Sequence, residues 1–346
     1  MAKAPPPAKI PPLARALDQR VEDLRALTTR ALRSWDVEAI HHARVTTRRL
    51  KAAIDLLRPL LPNDPRRKFG RALRRLRRTL GPLRDLDVML IHLEELRDVP
   101  ACAHGAAWFG ARLRERRADL RRTTARGASA RQMLARLAAW VDLEPGVRDA
   151  QAPAALLLRR VAPGQARDFA RRADRLAATP QDSPTPEGAG AASTEDVHEL
   201  RIAGKLLRYT LELAEPLGCE VPRSVAREFK KLQDALGLWH DYAVLTDEML
   251  KLALDRQLSV HDPQTYGAVL DLARACWQKA RRHLDQFQKH WTAVGAELTS
   301  RVVGIFTGQG EAAESVRPEP AAAPAPAPEP APVSEGSETE PAAGAA

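Results

Sequence analysis

The chain has 346 residues, of which 44% are hydrophobic and only 4% aromatic. Its three cysteines, Cys102, Cys219 and Cys276, form no CxxC pair and have no histidine at metal-site spacing. The sequence therefore argues against a disulfide framework and a zinc site, and it suits a reducing cytoplasm. Because it contains neither a signal-peptide core nor an uncharged run of about 18 apolar residues, we expect neither secretion nor membrane spanning.

Basic residues outnumber acidic ones, and the excess is concentrated away from the C-terminal end. The net charge is +10, but residues 311–346 hold seven Glu and one Arg, so the remainder carries +16. The densest segment, from Arg44 to Arg84, holds fourteen Lys and Arg against two Asp. This distribution predicts a polyanionic partner.

The apolar residues recur with helical period, and alternating Val, Ile or Thr runs are scarce, so the predicted class is all-α. Pro and Gly mark several of the predicted helix ends, including Pro59, Gly81-Pro82 and Gly237. Asp36 is the predicted N-cap of the second helix. Helices are predicted, in chain order, at roughly 13–35, 36–58, 65–80, 83–97, 104–126, 129–142, 153–178, 195–215, 222–236, 240–255 and 263–306.

Composition divides the chain into five segments. Pro-rich or low-complexity stretches at 1–11, 179–194 and 307–346 predict a disordered N-terminus, a linker and a disordered Pro/Ala/Glu-rich tail. The linker separates a first helical half, 12–178, from a second, 195–306.

The segment HHARVTTRRLK, which begins at His41, carries a row of basic side chains. On a helix with about 100° per residue, these side chains fall in one stripe roughly 80° wide, beside a separate apolar face. The stripe consists of His41, Arg44, Arg48 and Lys51. The same spacing returns 157 residues later in His198, Arg201, Lys205 and Arg208. Asp55 and Glu212 lie one turn after each stripe, where they can pair with its last cation.

The repetition extends beyond one helix, which predicts an internal duplication. Leu80-Gly81, with Asp85 and Val88, matches Leu236-Gly237, with Asp241 and Val244. The second turn reads Leu238-Trp239-His240-Asp241 where the first reads Pro82-Leu83-Arg84-Asp85, so His240 stands at the position of Arg84.

These doubled motifs resemble the CHAD family, the conserved-histidine α-helical domain, over roughly residues 12–306. The resemblance implies two pseudo-symmetric helical bundles that enclose a basic channel, and binding of inorganic polyphosphate on polyphosphate granules. It carries the binding role to both stripes and, in the helices that follow them, to Arg74, Arg75, Lys230 and Lys231. Donors at i, i+3 or i+4 lie about 5 to 6 Å apart, a suitable pitch for successive phosphates.

Three other functions are open to this sequence. The charge of +16 would attract a nucleic acid, although the six Trp mostly occupy core-like positions and indicate no base stacking. Glu38-x-x-His41 and Glu195-x-x-His198 match the spacing of di-metal bundles, but the neighbouring cations would repel metal ions. No P-loop, nucleophile elbow or acid-base pair indicates an enzyme, and no cofactor is expected. Oligomeric state is left open.

Overall fold

The computed structural model describes residues 10–178, 194–253 and 256–308. Within these ranges the regular elements are helical, which confirms the predicted all-α class. Two short 3-10 turns, Ala138–Trp140 and Glu215–Leu217, accompany the α-helices. The α-helices are α1 (Pro12–Ser34), α2 (Val37–Leu56), α3 (Asn63–Arg97), α4 (Pro100–Gly127), α5 (Ala130–Leu137), α6 (Glu144–Asp149), α7 (Gln151–Ala178), α8 (Thr194–Leu211), α9 (Arg223–Ala253), α10 (Arg256–His261) and α11 (Pro263–Thr307).

The start of α2 is fixed by its cap. Asp36 Oδ1 accepts a hydrogen bond from the backbone N–H of Ala39 at 2.7 Å, which confirms the predicted N-cap. The preceding residue, Trp35, ends α1 in the left-handed region with a φ of 57°. Its carbonyl accepts a hydrogen bond from Arg117 on α4 at 3.2 Å. The entry to the helix that carries the first basic stripe is therefore held from two sides.

The predicted helix breaks at Gly81-Pro82 and at Gly237 are wrong, because α3 and α9 continue through them. A proline inside a helix removes one backbone hydrogen bond and costs about 3 kcal/mol. On α3 this cost is offset by buried leucines on both sides of Pro82, namely Leu76, Leu80, Leu83 and Leu86. Asp85 and Asp87 consequently lie in the middle of a 35-residue helix and not in a first turn.

Packing brings the two predicted stripes into neighbouring helices. α2 contacts α8, α3 contacts α9, and the 45-residue α11 packs on α4, α7 and α9. The crossing of α4 and α11 is close at Gly105, where an added Cβ would lie 2.5 Å from the carbonyl oxygen of Ala268. Only glycine allows the two backbones to approach this closely.

Two tryptophans connect separate parts of the fold through partly buried hydrogen bonds. Trp140 Nε1 donates to Asp18 Oδ1 on α1 at 2.7 Å, and Trp291 Nε1 donates to Asp174 Oδ1 on α7 at 2.8 Å. Asp174 follows Asp18 by 156 residues, close to the spacing between the doubled motifs. The internal duplication itself stays a prediction.

The predicted segment boundaries also stay predictions. Residues 1–9, 179–193 and 309–346 lie outside the described part of the chain, and with them most of the predicted N-terminus, linker and tail. Thr194, the last residue of the predicted linker, begins α8, while α7 on its other side packs against both α8 and α11. In the described ranges, none of the helices combines the length and the apolar character needed to cross a membrane.

Candidate functional site

A cavity of about 960 Å³ opens between α2, α3, α4, α8 and α9. Its wall carries six Arg or Lys side chains, four acidic side chains and three histidines. These residues are Arg44, Arg48, Arg84, Arg116, Arg201, Lys205, Asp85, Asp119, Asp241, Glu248, His41, His198 and His240. The cations outnumber the acids, so the cavity, called the basic cavity below, favours an anion.

Half of the predicted binding residues line the basic cavity. α2 supplies His41, Arg44 and Arg48, and α8 supplies His198, Arg201 and Lys205. Each set occupies two turns of its helix at the same i, i+3, i+7 spacing, which places its members on one face. Because α2 and α8 are in contact, the two faces form parts of a single wall.

The other half of the predicted set lies outside the basic cavity. Lys51 pairs with Asp55, and Arg208 Nε lies 3.3 Å from Glu212 Oε1, so each stripe ends in an i,i+4 ion pair. Both cations share the stripe but lie beyond its last cavity residues, Arg48 and Lys205, by three residues, or about 4.5 Å along the helix. The remaining four are exposed, and two of them pair with acids on their own helix. These are Arg74, Arg75, Lys230 (with Asp234) and Lys231 (with Glu228).

Three basic residues of the cavity were not part of the predicted set: Arg84, Arg116 and His240. A sequence signal exists for two of them, since Arg84 and His240 hold matching positions in the doubled turn. Arg116 lies on α4, outside any repeated motif, and its Nη1 contacts Glu248 Oε2 at 3.0 Å. Only the packing of α4 against α3 brings it to the cavity.

Arg44 is held in place by its neighbours on α3. Its Nη2 donates to Asp85 Oδ1 at 3.2 Å, and its side chain is only 12% exposed. Its guanidinium lies over Gly81, where an added Cβ would come within 2.6 Å of Arg44 Nη1. Burial, together with Arg48, lowers the pKa of Arg44 although Asp85 acts in the opposite direction. Gly81 thus provides the space that the guanidinium occupies.

The α8 side of the cavity holds a lysine with an unusual charge state. Burial, followed by the charges of Arg201 and Arg48, lowers the pKa of Lys205 to about 7, against the opposing effect of Asp241. The same burial lowers the pKa of Arg201. An anion in the cavity would stabilise both charged forms, because its negative charge would replace the stabilisation by water that burial has removed.

The histidines respond to the same field of positive charge. Burial and then Arg201 lower the pKa of His240 to about 4, so its imidazole is neutral at pH 7. Burial and then Arg84 lower the pKa of His41. The rings of His198 and His240 lie 5.5 Å apart, so the first residue of the α8 stripe lies next to α9. A neutral imidazole can donate one hydrogen bond to a bound anion.

Asp241 connects the basic cavity to a buried polar network. Burial raises the pKa of Asp241, but His92 and Arg201 outweigh it, so the pKa lies below its usual value. His92 Nε2 is 3.7 Å from Asp241 Oδ2, and the His92 ring packs against Tyr242 with centroids 4.6 Å apart. Tyr242 donates to Glu95 Oε2 at 2.7 Å. This network keeps Asp241 ionised opposite Arg201.

Two buried donors on the cavity residues have no hydrogen-bond partner among the described residues. They are Arg84 Nη1 and Arg201 Nε. A buried unpaired donor costs about 1 to 3 kcal/mol, more when it is charged. Both belong to arginines of the basic cavity, so an anion bound there is the natural acceptor.

The di-metal hypothesis finds no support in the geometry. The E-x-x-H spacing would pair Glu38 with His41. In the structure, Glu38 Oε2 instead lies 3.5 Å from Nε2 of the next residue, His42. Across residues 10–178, 194–253 and 256–308, three or more His, Cys, Asp or Glu side chains nowhere gather in a way that could hold a metal ion.

The sequence model of the CHAD domain matches residues 15–250, which is more than half of the chain. The chain belongs to the CHAD family. This confirms the resemblance carried by the motifs at His41 and Leu80. Two solved structures have a similar fold. The CHAD domain of the plant Ricinus communis superimposes with a TM-score of 0.58 at 22% identity, covering 84% of this chain and 96% of that one. PptA from Streptomyces chartreusis gives a TM-score of 0.51 at 22% identity, covering 80% and 99%.

Curated relatives of this CHAD protein occur in Mycobacterium tuberculosis. The uncharacterized protein MT2285 of strain CDC 1551 / Oshkosh is 27% identical over 309 residues, which is 82% of this chain and 54% of that protein. The uncharacterized protein Rv2226 of strain ATCC 25618 / H37Rv matches to the same extent. The chain thus spans about half the length of the curated relatives it matches.

Proposed function

We propose that this CHAD protein binds inorganic polyphosphate in the basic cavity and catalyses no reaction on it. The observation that carries the proposal is a pair of arginines that line the same cavity from α3 and α8, Arg84 and Arg201, each with a buried N–H that has no hydrogen-bond partner among the described residues. Six Arg or Lys side chains share this wall, and family membership supports the same ligand class.

A linear polyanion fits this arrangement better than a single phosphate. Arg44 and Arg48 are one turn apart on α2, and Arg201 and Lys205 are one turn apart on α8. Such neighbours lie about 5 to 6 Å apart, so consecutive phosphates of one chain can meet consecutive cations. The guanidinium groups can each form two parallel hydrogen bonds to a phosphate. Family membership, and not this geometry, leads us to propose that the protein resides in the cytoplasm on polyphosphate granules.

The test is a titration with polyphosphate of defined length, compared with inorganic triphosphate. We expect long chains to bind much more tightly, because a single chain engages cations of both helices. The double variant Arg44→Ala with Arg201→Ala should lose several kcal/mol, at about 1.5 to 3 for each charge-assisted contact. The control pair, Lys230→Ala with Lys231→Ala, removes exposed and ion-paired charges outside the cavity and should bind normally.

A double variant that stays folded by circular dichroism and binds like the wild type would place the ligand elsewhere. Equal affinity per site for triphosphate and a long chain would contradict joint binding by the two helices. Release of free phosphate from the long chain by the wild type, abolished in the double variant, would contradict the non-enzymatic part of the proposal.

Nucleic-acid binding is a second candidate because α3 presents a separate basic surface. Exposed cations of α3 outside the cavity are Arg67, Lys68, Arg71, Arg74, Arg75 and Arg78. Such a surface attracts a phosphate backbone without reading sequence, and its affinity falls steeply with salt. A salt series with both ligands distinguishes the two: DNA that binds the wild type at physiological salt without displacing polyphosphate would favour this candidate.

A further inference from the structure

A second cavity, of about 900 Å³, adjoins the basic cavity. The two share His198, Val244 and His240 as lining residues, so they meet where α8 and α9 face each other. Much of the second wall is apolar and comes from α9 and α11. Its large and small apolar side chains are Trp239, Ala243, Leu250, Leu270, Ala273 and Trp277. This second space is called the apolar cavity below.

The apolar cavity exposes aromatic surface to solvent. Trp277 is 43% exposed and Leu250 is 45% exposed, although both line the cavity. Most of the tryptophans are buried, as expected, but Trp277 is an exception, whereas Trp239 in the same cavity is buried. Exposed apolar side chains that share one cavity indicate a ligand with an apolar or aromatic face.

The charged residues of the two cavities differ, so each cavity favours a different part of one ligand. Glu195 and Asp247 line the apolar cavity together with one cation, Arg274, which pairs with Asp271 at 3.0 Å, so a phosphate gains no net attraction there. The cations Arg201 and Lys205 begin one turn beyond His198 on α8 and line the basic cavity. A molecule with an aromatic ring at one end and a phosphate chain at the other can therefore place each part where it is favoured.

We propose that the apolar cavity binds the base of a nucleoside triphosphate whose phosphates lie in the basic cavity. The proposal rests on the proposed function, since the phosphates use the same cations as polyphosphate. A planar base stacks on an exposed indole such as Trp277. The carboxylate of Asp247 can accept a hydrogen bond from an exocyclic amino group, which favours adenine over a base that lacks one.

The test compares ATP with inorganic triphosphate and with adenosine, by calorimetry on the full chain in the presence of a chelator. Inorganic triphosphate carries the same phosphate chain without the nucleoside, so the ratio of the two affinities isolates the contribution of the nucleoside. We expect ATP to bind on the order of tenfold more tightly than triphosphate, and adenosine weakly. Trp277→Ala should remove this ratio and leave the triphosphate affinity unchanged.

Two further variants make the result specific. Trp108→Ala is the matched control, because Trp108 packs under Arg112 at 4.1 Å and lines neither cavity, so the ratio should persist. Ala243→Leu fills part of the apolar cavity and leaves Trp277 in place. It should remove the preference for ATP over triphosphate as Trp277→Ala does. It keeps the test decisive if the tryptophan variant fails to fold.

Equal affinity of the wild type for ATP and triphosphate would overturn the proposal, as would a tenfold ratio that survives in both Trp277→Ala and Ala243→Leu. If long polyphosphate still binds in either case, the proposed function stands and only the base site fails. If neither polyphosphate nor triphosphate binds, the proposed function fails as well. A dimer in light scattering that Trp277→Ala dissociates would assign this cavity to contact between two copies, against the proposal.

Discussion

Lys205 makes polyphosphate binding depend on pH in a window that no other cavity cation shares. Burial, Arg201 and Arg48 lower its pKa from 10.5 to about 7, so a large part of the free protein carries a neutral amine at pH 7 and above. A bound polyanion favours the ammonium form and raises this pKa. Binding above pH 7 therefore takes up a proton, and affinity rises as the pH falls towards about 7 and levels off below it.

The magnitude follows from one coupled proton. Affinity changes by at most about tenfold per pH unit between the free and the bound pKa. From about pH 9 to about pH 7, wild-type affinity for long polyphosphate should therefore increase by up to roughly 100-fold. In the free protein, His41 and His240 have lowered pKa values and are neutral in this window, so proton uptake by them would persist when Lys205 is replaced.

Calorimetry at several pH values, in two buffers of different ionisation enthalpy, measures both the affinity and the protons taken up. Lys205→Met removes the titrating amine and should bind more weakly with no dependence on pH between 7 and 9. Lys205→Arg keeps its charge throughout and should bind tightly, also without dependence on pH. Proton uptake that persists in both variants would refute the assignment to Lys205.

The lowered pKa of Lys205 also predicts how the stability of the ligand-free protein depends on pH. Stability should rise with pH, whereas affinity for polyphosphate falls. An unfolded lysine keeps its proton up to about pH 10.5, so between about pH 7 and that value the unfolded state binds more protons and stability rises with pH. At pH 7 the fall of the pKa corresponds to at most about 5 kcal/mol. Lys205→Met should therefore raise the free energy of unfolding of the ligand-free protein at pH 7 in urea titrations; a clear decrease would contradict this reasoning.

Two substitutions test the supports of the basic cavity. Gly81→Ala should displace the Arg44 guanidinium, which lies 2.6 Å from the new Cβ, and weaken polyphosphate binding several-fold in calorimetry without unfolding the protein. Gly70→Ala, on the same helix but outside the basic cavity, is its control, since nothing lies within 4 Å of a Cβ there. It should bind normally and gain up to about 1 kcal/mol of stability; equal weakening in both would remove Gly81 from the argument. Glu212→Gln should lower the free energy of unfolding by about 1 to 3 kcal/mol in urea, because Glu212 Oε1 accepts from Arg49 Nη2 on α2 at 3.2 Å, while polyphosphate affinity stays unchanged; a selective loss of affinity would contradict its structural role.

The sequence by itself determines the class and the central pattern. Helical periodicity and the scarcity of alternating runs suffice for an all-α fold, because the buried face of a helix must repeat every three to four residues. The duplicated spacing from His41 and His198 places three side chains of each stripe on one face, and these six line the basic cavity. The Asp36 cap is equally local, since its partner is only three residues away.

Tertiary structure decides how far along each helix the cavity extends and which distant residues join it. Lys51 lies on the same helix face as Arg44, but it is two turns further along α2 and forms an ion pair with Asp55. Arg116 carries no motif and reaches the cavity only through the packing of α4 on α3.

Burial is likewise a property of the assembled fold. The sequence shows Lys205 as one cation among many, whereas its pKa of about 7 arises from desolvation beside arginines of other turns and another helix. The continuity of α3 through Gly81-Pro82 has the same origin: local propensity predicts a break, and leucines buried on both sides outweigh the one lost hydrogen bond. Local sequence patterns predict which residues share a helix face, but only the packing of the helices determines what that face contacts.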